Sequence, residues 1–197
     1  MKLLNTFSHK LASNTKSVIF VASILAVSGT VVELLAGIWD AASHLMREPE
    51  LFWTIQHVVV YAGVAMITLS AILGSIILIT NQKNMSINTG LKVLIVGAIL
   101  QIAAGYADSV SHDIYGVDGL VTASHLVLET GLLLSALGGF LLLSKAGKTR
   151  SRRIMPLAIM SVLLSSAWIG FNLTLLFGSV ALCLPVYVAF SSGCAVL

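Results

Sequence analysis

The chain has 197 residues, of which 57% are hydrophobic and only 10% charged, with a mean hydropathy of +0.99. That balance excludes a soluble domain. The net charge of +3 and the pI of 9.0 do not indicate a nucleic-acid partner, because the basic residues sit in short segments flanking apolar runs, where they set membrane orientation instead. A hydrocarbon core of about 30 Å takes about 20 helical residues to cross, and runs of that length recur along the whole chain. Open sheets cannot satisfy their backbone polar groups in lipid. The expected fold is therefore all-α: a polytopic transmembrane helical bundle of five or six spans in a single membrane domain.

The arm 1–16 carries Lys2, Lys10 and Lys16 ahead of an apolar run that begins at Ser17. That run is too long for the apolar region of a signal peptide and reads as an uncleaved first span, about Ser17–Leu45. Its last turns carry Glu33, Gly37, Asp40 and His44, with Glu33, Asp40 and His44 on one face by helical spacing. Arg47–Glu50 is a polar break in which Pro49 cannot continue a helix but suits the first turn of a new one. The second span, about Leu51–Thr80, has His57 in its second turn. A linker, Asn81–Gly90, leads to a third span at about Leu91–Asp113, which ends with Asp108 and His112. After the turn Tyr115–Gly119, the fourth span, about Leu120–Ser144, carries His125 early and Glu129 one turn later.

Lys145–Arg153 is a basic loop, and Pro156 opens a fifth span reaching about Gly178. The tract beyond it is uncharged and interrupted by Pro185, as either a short sixth helix or a re-entrant segment. Cys183 and Cys194 fall in this tract and form no C-x-x-C, so no role is assigned to them.

The second and fourth loops and the N-terminal arm, with the residues next to them, hold ten of the eleven Lys and Arg residues, and Arg47 is the exception. The distribution predicts a cytoplasmic N-terminus, with both motif turns on the extracytoplasmic side of the cell membrane. All eight acids lie in or near the outer ends of the first four spans.

The chain also repeats itself. Asp40, His44 and His57 are spaced D-x3-H-x12-H, and so are Asp108, His112 and His125, each residue 68 positions after its counterpart. The same offset relates Ala36 to Ala104, Gly37 to Gly105, Ser43 to Ser111, Thr54 to Thr122 and Gly63 to Gly131. Two hairpin copies are expected, about 17–80 and 91–144, followed by C-terminal helices over 154–197. Gly37, Gly63, Gly105 and Gly131 read as close-packing positions between helices.

Asp and His four residues apart share a helix face, and a second His must return from the next span. Two imidazoles and a carboxylate form a set that suits first-row transition metals, with zinc and non-haem iron among them. Ionisable groups at membrane depth cost about 2.5–3.5 kcal/mol each on insertion scales, and a metal ion is a partner that offsets this. Glu129 is placed to support the second site as an acceptor or proton relay; the matching residue in the first copy is Tyr61, so the two sites differ chemically. Haem is the poorer reading, because its axial ligands project into the bundle interior from facing helices, whereas these four histidines crowd one membrane face.

The double motif, with Asn88–Lys92 leading into the third span, resembles the C-type subunit of the copper membrane monooxygenases, in particular the short archaeal form found in ammonia monooxygenase. The resemblance covers roughly residues 30–135. It implies two neighbouring ligand sets, Asp40, His44 and His57 in the first and Asp108, His112 and His125 in the second. It also implies one or two copper ions, membrane partners in the form of the A-type and B-type monooxygenase subunits arranged as a trimer of heterotrimers, and an electron donor such as quinol. The implied activity is O2-dependent hydroxylation of ammonia, methane or a short alkane. The chain departs from the family at Asp108, where Asn is usual, which adds negative charge to the second set, and at the turns 47–50 and 115–119. A stand-alone or non-enzymatic membrane metal-binding protein with two His2Asp sites is the alternative.

Overall fold

The computed structural model describes residues 15–46, 53–80, 85–115, 121–146 and 151–181; the side chains of a few residues at helix ends, His44 and His112 among them, lie outside the description. Five helices account for nearly all of it: α1 (Thr15–Met46), α2 (Ile55–Thr80), α3 (Met85–Tyr115), α4 (Ala123–Lys145) and α5 (Met155–Ala181). Each contains a window long and apolar enough to cross a membrane, and there is no strand among the described residues. The chain is an integral membrane protein built as an all-α bundle.

The elements start later or earlier than expected for local reasons. α4 begins at Ala123 because Thr122 caps it: the Thr122 backbone is extended and its Oγ1 accepts from His125 N at 3.2 Å. α3 begins at Met85 and absorbs most of the expected linker. Gly90 does not stop it, because that glycine lies in the helix interior where α4 approaches; a Cβ there would lie 3.2 Å from Leu141 Cβ. α5 takes Pro156 into its first turn, where the missing N–H costs nothing, and runs on to Ala181. The expected sixth span lies outside the described residues, as do residues 1–14 of the N-terminal arm and 147–150 of the basic loop.

α1 packs along α2 and α3 along α4; the two hairpins join where α1 meets α4 and α2 meets α3, and α5 lies against α4. Half of the spanning window is buried in α1 and in α4, against 17% in α5, so the first pair forms the centre and α5 the rim. The outward faces are large and apolar, Leu69, Ile79, Ile99, Leu163 and Phe177 among them. In water such surface would drive association; in a bilayer it is the lipid-facing shell. Many hydroxyls inside the spans are satisfied within their own helices, as when Ser23 Oγ donates to Ile19 O at 2.7 Å and Thr30 Oγ1 to Ala26 O, whereas Ser70 Oγ of α2 crosses to α1 and donates to Ala22 O at 2.6 Å.

Glycines set the closest approaches. A Cβ on Gly29 would lie 2.8 Å from Gly63 O, and one on Gly63 would lie 2.8 Å from Gly29 O. Sixty-eight residues on, a Cβ on Gly97 would lie 2.7 Å from Gly131 O, and one on Gly131 would lie 2.8 Å from Gly97 O. The two hairpins thus cross at equivalent points. Gly37 and Gly105 correct the expectation made for all four motif glycines: a Cβ at either meets nothing within 4 Å, because both face open space.

Candidate metal centre

That open space is a cavity of about 80 Å³ between the two hairpins, with α5 contributing one wall. Asp40 and His57 line it from the first hairpin, and Asp108 and His125 from the second. His57 Nε2 lies 3.3 Å from Asp40 Oδ1, and His125 Nε2 lies 3.3 Å from Asp108 Oδ1. The spacing alone suggests two separate sites; the fold brings both pairs to one chamber.

The helices position these groups in a way their sequence explains. Thr54 and Thr122 each immediately precede a helix, so His57 and His125 both fall three residues after a threonine, in the first turn. In the second copy the cap fixes His125 directly, since its own N–H is the donor that Thr122 Oγ1 satisfies. Ser124 then donates to Asp108 Oδ1 at 2.9 Å and is itself within 2.9 Å of Thr122 Oγ1. In the first copy the residue matching Ser124 is Gln56, which instead donates to Ser43 Oγ at 2.7 Å and ties α2 to α1. Tyr61 stands beside His57, ring centroids 6.5 Å apart, and Trp53 closes on Tyr61 edge-on at 5.9 Å.

The donor chemistry of each pair fits a transition ion. A carboxylate oxygen and an imidazole nitrogen bound to one ion at about 2.0–2.1 Å each, at a tetrahedral angle, would be about 3.3 Å apart. Both pairs already have that separation. Among the described residues no group of three His, Cys, Asp or Glu side chains is arranged to hold an ion. The remaining motif residues, His44 and His112, continue α1 and α3 one turn beyond Asp40 and Asp108, and their side chains lie outside the described residues.

Glu129 also lines the cavity and is tied to the rim helix: Asn172 Nδ2 donates to its Oε1 at 2.7 Å. Trp168, one turn before Asn172, contributes to the same wall. Sequence reasoning about the motif missed both α5 residues. The signal was there, as Trp168 and Asn172 are i and i+4 on one face of a helix whose other polar side chains are only serine and threonine. Glu33 reaches the chamber from α1, seven residues and so about 10 Å along the helix from Asp40. The chain matches no family model and shows no significant similarity to a curated protein or a solved structure.

Proposed function

We propose that this chain is a metal-binding component of a copper-dependent membrane monooxygenase complex, similar to the C-type subunit of those enzymes, that serves the hydroxylation of a small molecule by O2. The observation that carries the reading is the pairing of Asp40 with His57 and of Asp108 with His125, at one shared distance around one cavity. A structural polar contact would need neither the duplication nor the shared chamber. Copper itself comes from the sequence resemblance, since the donor set also suits zinc and iron.

In this reading Asp40 and His57, with His44, hold one ion, and Asp108 and His125, with His112, hold the other. Bound copper would supply O2 activation. The chain's own groups orient the ligands and exclude bulk water: Thr122 fixes the His125 backbone, Ser124 holds Asp108, and apolar side chains such as Leu34, Leu128 and Leu132 wall the chamber. Glu129, held by Asn172 one turn from His125, is a positioned proton acceptor. The cavity of about 80 Å³ has room for a molecule the size of ammonia, methane or a short alkane. The lysine and arginine distribution supports a cell-membrane protein with its N-terminus in the cytoplasm and the chamber toward the extracytoplasmic side. The A-type and B-type sister subunits and a quinol donor complete the assembly in this proposal, and no nucleic acid takes part.

The test is metal analysis and electron paramagnetic resonance on protein purified from its native membrane, with identification of co-purifying chains. Copper lost in His57→Ala and His125→Ala, together with sister subunits and O2-dependent turnover, is the expected result. Metal without partners or turnover would instead make the chain a stand-alone metal-binding protein. No metal in the wild type sinks both.

A further inference from the structure

At the end of the bundle opposite the chamber, where α4 finishes and α5 begins, lies a groove of about 1050 Å³. Its lining changes along its length. Ser144, Ser151 and Arg152 contribute near the helix ends, and Met155, Ile159 and Met160 contribute from α5. The last three belong to the membrane-spanning stretch Met155–Gly178, and Ile159 and Met160 are 44% and 54% exposed. The groove is therefore polar where the spans end and apolar one turn further in. Its wall is fixed from behind, because Leu143 of α4 and Ala158 of α5 are fully buried in one cluster against which Met155 packs.

Arg152 is exposed at the polar end, and among the described residues no carboxylate pairs with it. All eight acids lie toward the other end of the spans. The one acid of α4, Glu129, is 16 residues and so roughly 24 Å from Lys145. Lys145 and Arg153, next in sequence to Ser144 and Arg152, are exposed as well and add positive charge at the same level. What complements such a surface is an anion carried on an apolar body. A small anion alone would leave Met155, Ile159 and Met160 uncovered, and an uncharged apolar chain would leave Arg152 without a counter-charge. The oxygens of a phosphodiester match the planar fork of a guanidinium, and acyl chains would continue along the α5 wall. A groove of this size, at the top of the range of roughly 300–1,000 Å³ for small-molecule pockets, has room for a headgroup and the first part of its chains.

We propose that the groove between the end of α4 and the start of α5 binds one acidic phospholipid, with its phosphate on Arg152 and its acyl chains along Ile159 and Met160. Bound there, the lipid joins α4 to α5, the helix that the rest of the bundle buries least. The test is native mass spectrometry of the full-length chain in detergent micelles, titrated with phosphatidylglycerol and with phosphatidylcholine of the same acyl chains. One phosphatidylglycerol should bind saturably and more tightly than phosphatidylcholine, and inorganic phosphate should not displace it. Arg152→Gln should weaken it about fivefold, the weight of one basic residue near lipid headgroups. Lys16→Gln, at the same end of the bundle but outside the groove, should keep the wild-type affinity. Equal affinity for the two lipids, unchanged binding in Arg152→Gln, or an equal loss in Lys16→Gln would overturn the proposal. Displacement by inorganic phosphate would do so too, by showing a site for a small anion alone. Should Arg152→Gln fail to fold, Ser144→Glu, which sets a carboxylate in the same wall, carries the same expectation. None of these outcomes bears on metal binding, whose residues lie at the other end of the bundle.

Discussion

Gly29 and Gly63 each occupy the place where the other's carbonyl leaves no room for a side chain, at 2.8 Å in both directions. Gly97 and Gly131 repeat the relationship in the second hairpin. In lipid there is little hydrophobic drive between helices, so such approaches supply much of the packing attraction. Gly63→Ala and Gly131→Ala should each lower stability by about 1–3 kcal/mol, the usual cost of overpacking. Gly37→Ala, which meets open space, should stay within about 0.5 kcal/mol of the wild type. Denaturant unfolding in micelles checks all three, and equal losses at Gly37 and Gly63 would refute the asymmetry.

Because Gly105 faces the chamber, a large side chain there should fill it without disturbing the crossing of α3 and α4. Gly105→Leu should keep a thermal midpoint close to that of the wild type and, in the proposed complex, abolish turnover of a small substrate. Loss of the folded state instead would show that the space at Gly105 is needed for packing.

Much of this arrangement was legible in the sequence, and the reasons differ by residue. Helix count and type follow from apolar runs that nothing but a membrane accommodates. That the two hairpins carry equivalent Asp–His pairs follows from the 68-residue offset, which any two equivalent hairpins preserve. What the motif did not show is that the pairs face one another. Contact between α1 and α4 and between α2 and α3 decides that, and no local pattern encodes it. The Gly29/Gly97 match sits at the same offset but outside the metal-ligand frame, and only its role at the crossing gives it meaning. Glu33 shows the opposite limit. Its placement on the face of Asp40 was readable, whereas its lack of a partner depends on Ile67 standing where the other copy has Ser135.

The two Asp–His pairs are supported differently, and metal affinity should record it. Ser124 donates to Asp108 Oδ1, whereas its counterpart Gln56 donates to Ser43. Ser124→Ala should weaken metal at the second pair by about 10–100-fold, the range seen when a hydrogen bond behind a ligand is removed. The first pair should be unaffected. Competition with a copper chelator measures this, with the affinity of one site falling in the variant while the other keeps its wild-type value. Because an ion that binds only the folded state stabilises it, stripping metal with chelator should also lower the thermal midpoint of the wild type.

Asn172 ties α5 to the chamber-lining carboxylates through its 2.7 Å hydrogen bond to Glu129 Oε1. Asn172 is fully buried and Glu129 is 5% exposed, so water cannot replace either partner at low cost. Asn172→Leu removes the donor and leaves Glu129 to be buried without it, which should cost about 1–3 kcal/mol. Asn172→Asp keeps the shape but sets a second carboxylate against the first, so it should cost more than the leucine variant. Glu129→Gln keeps an oxygen acceptor facing Asn172 and should be the mildest of the three. Unfolding of the three variants in micelles gives the order. If Asn172→Asp proved the most stable, the contact would have to be held by a shared proton, and Glu129 would not be an accepting carboxylate.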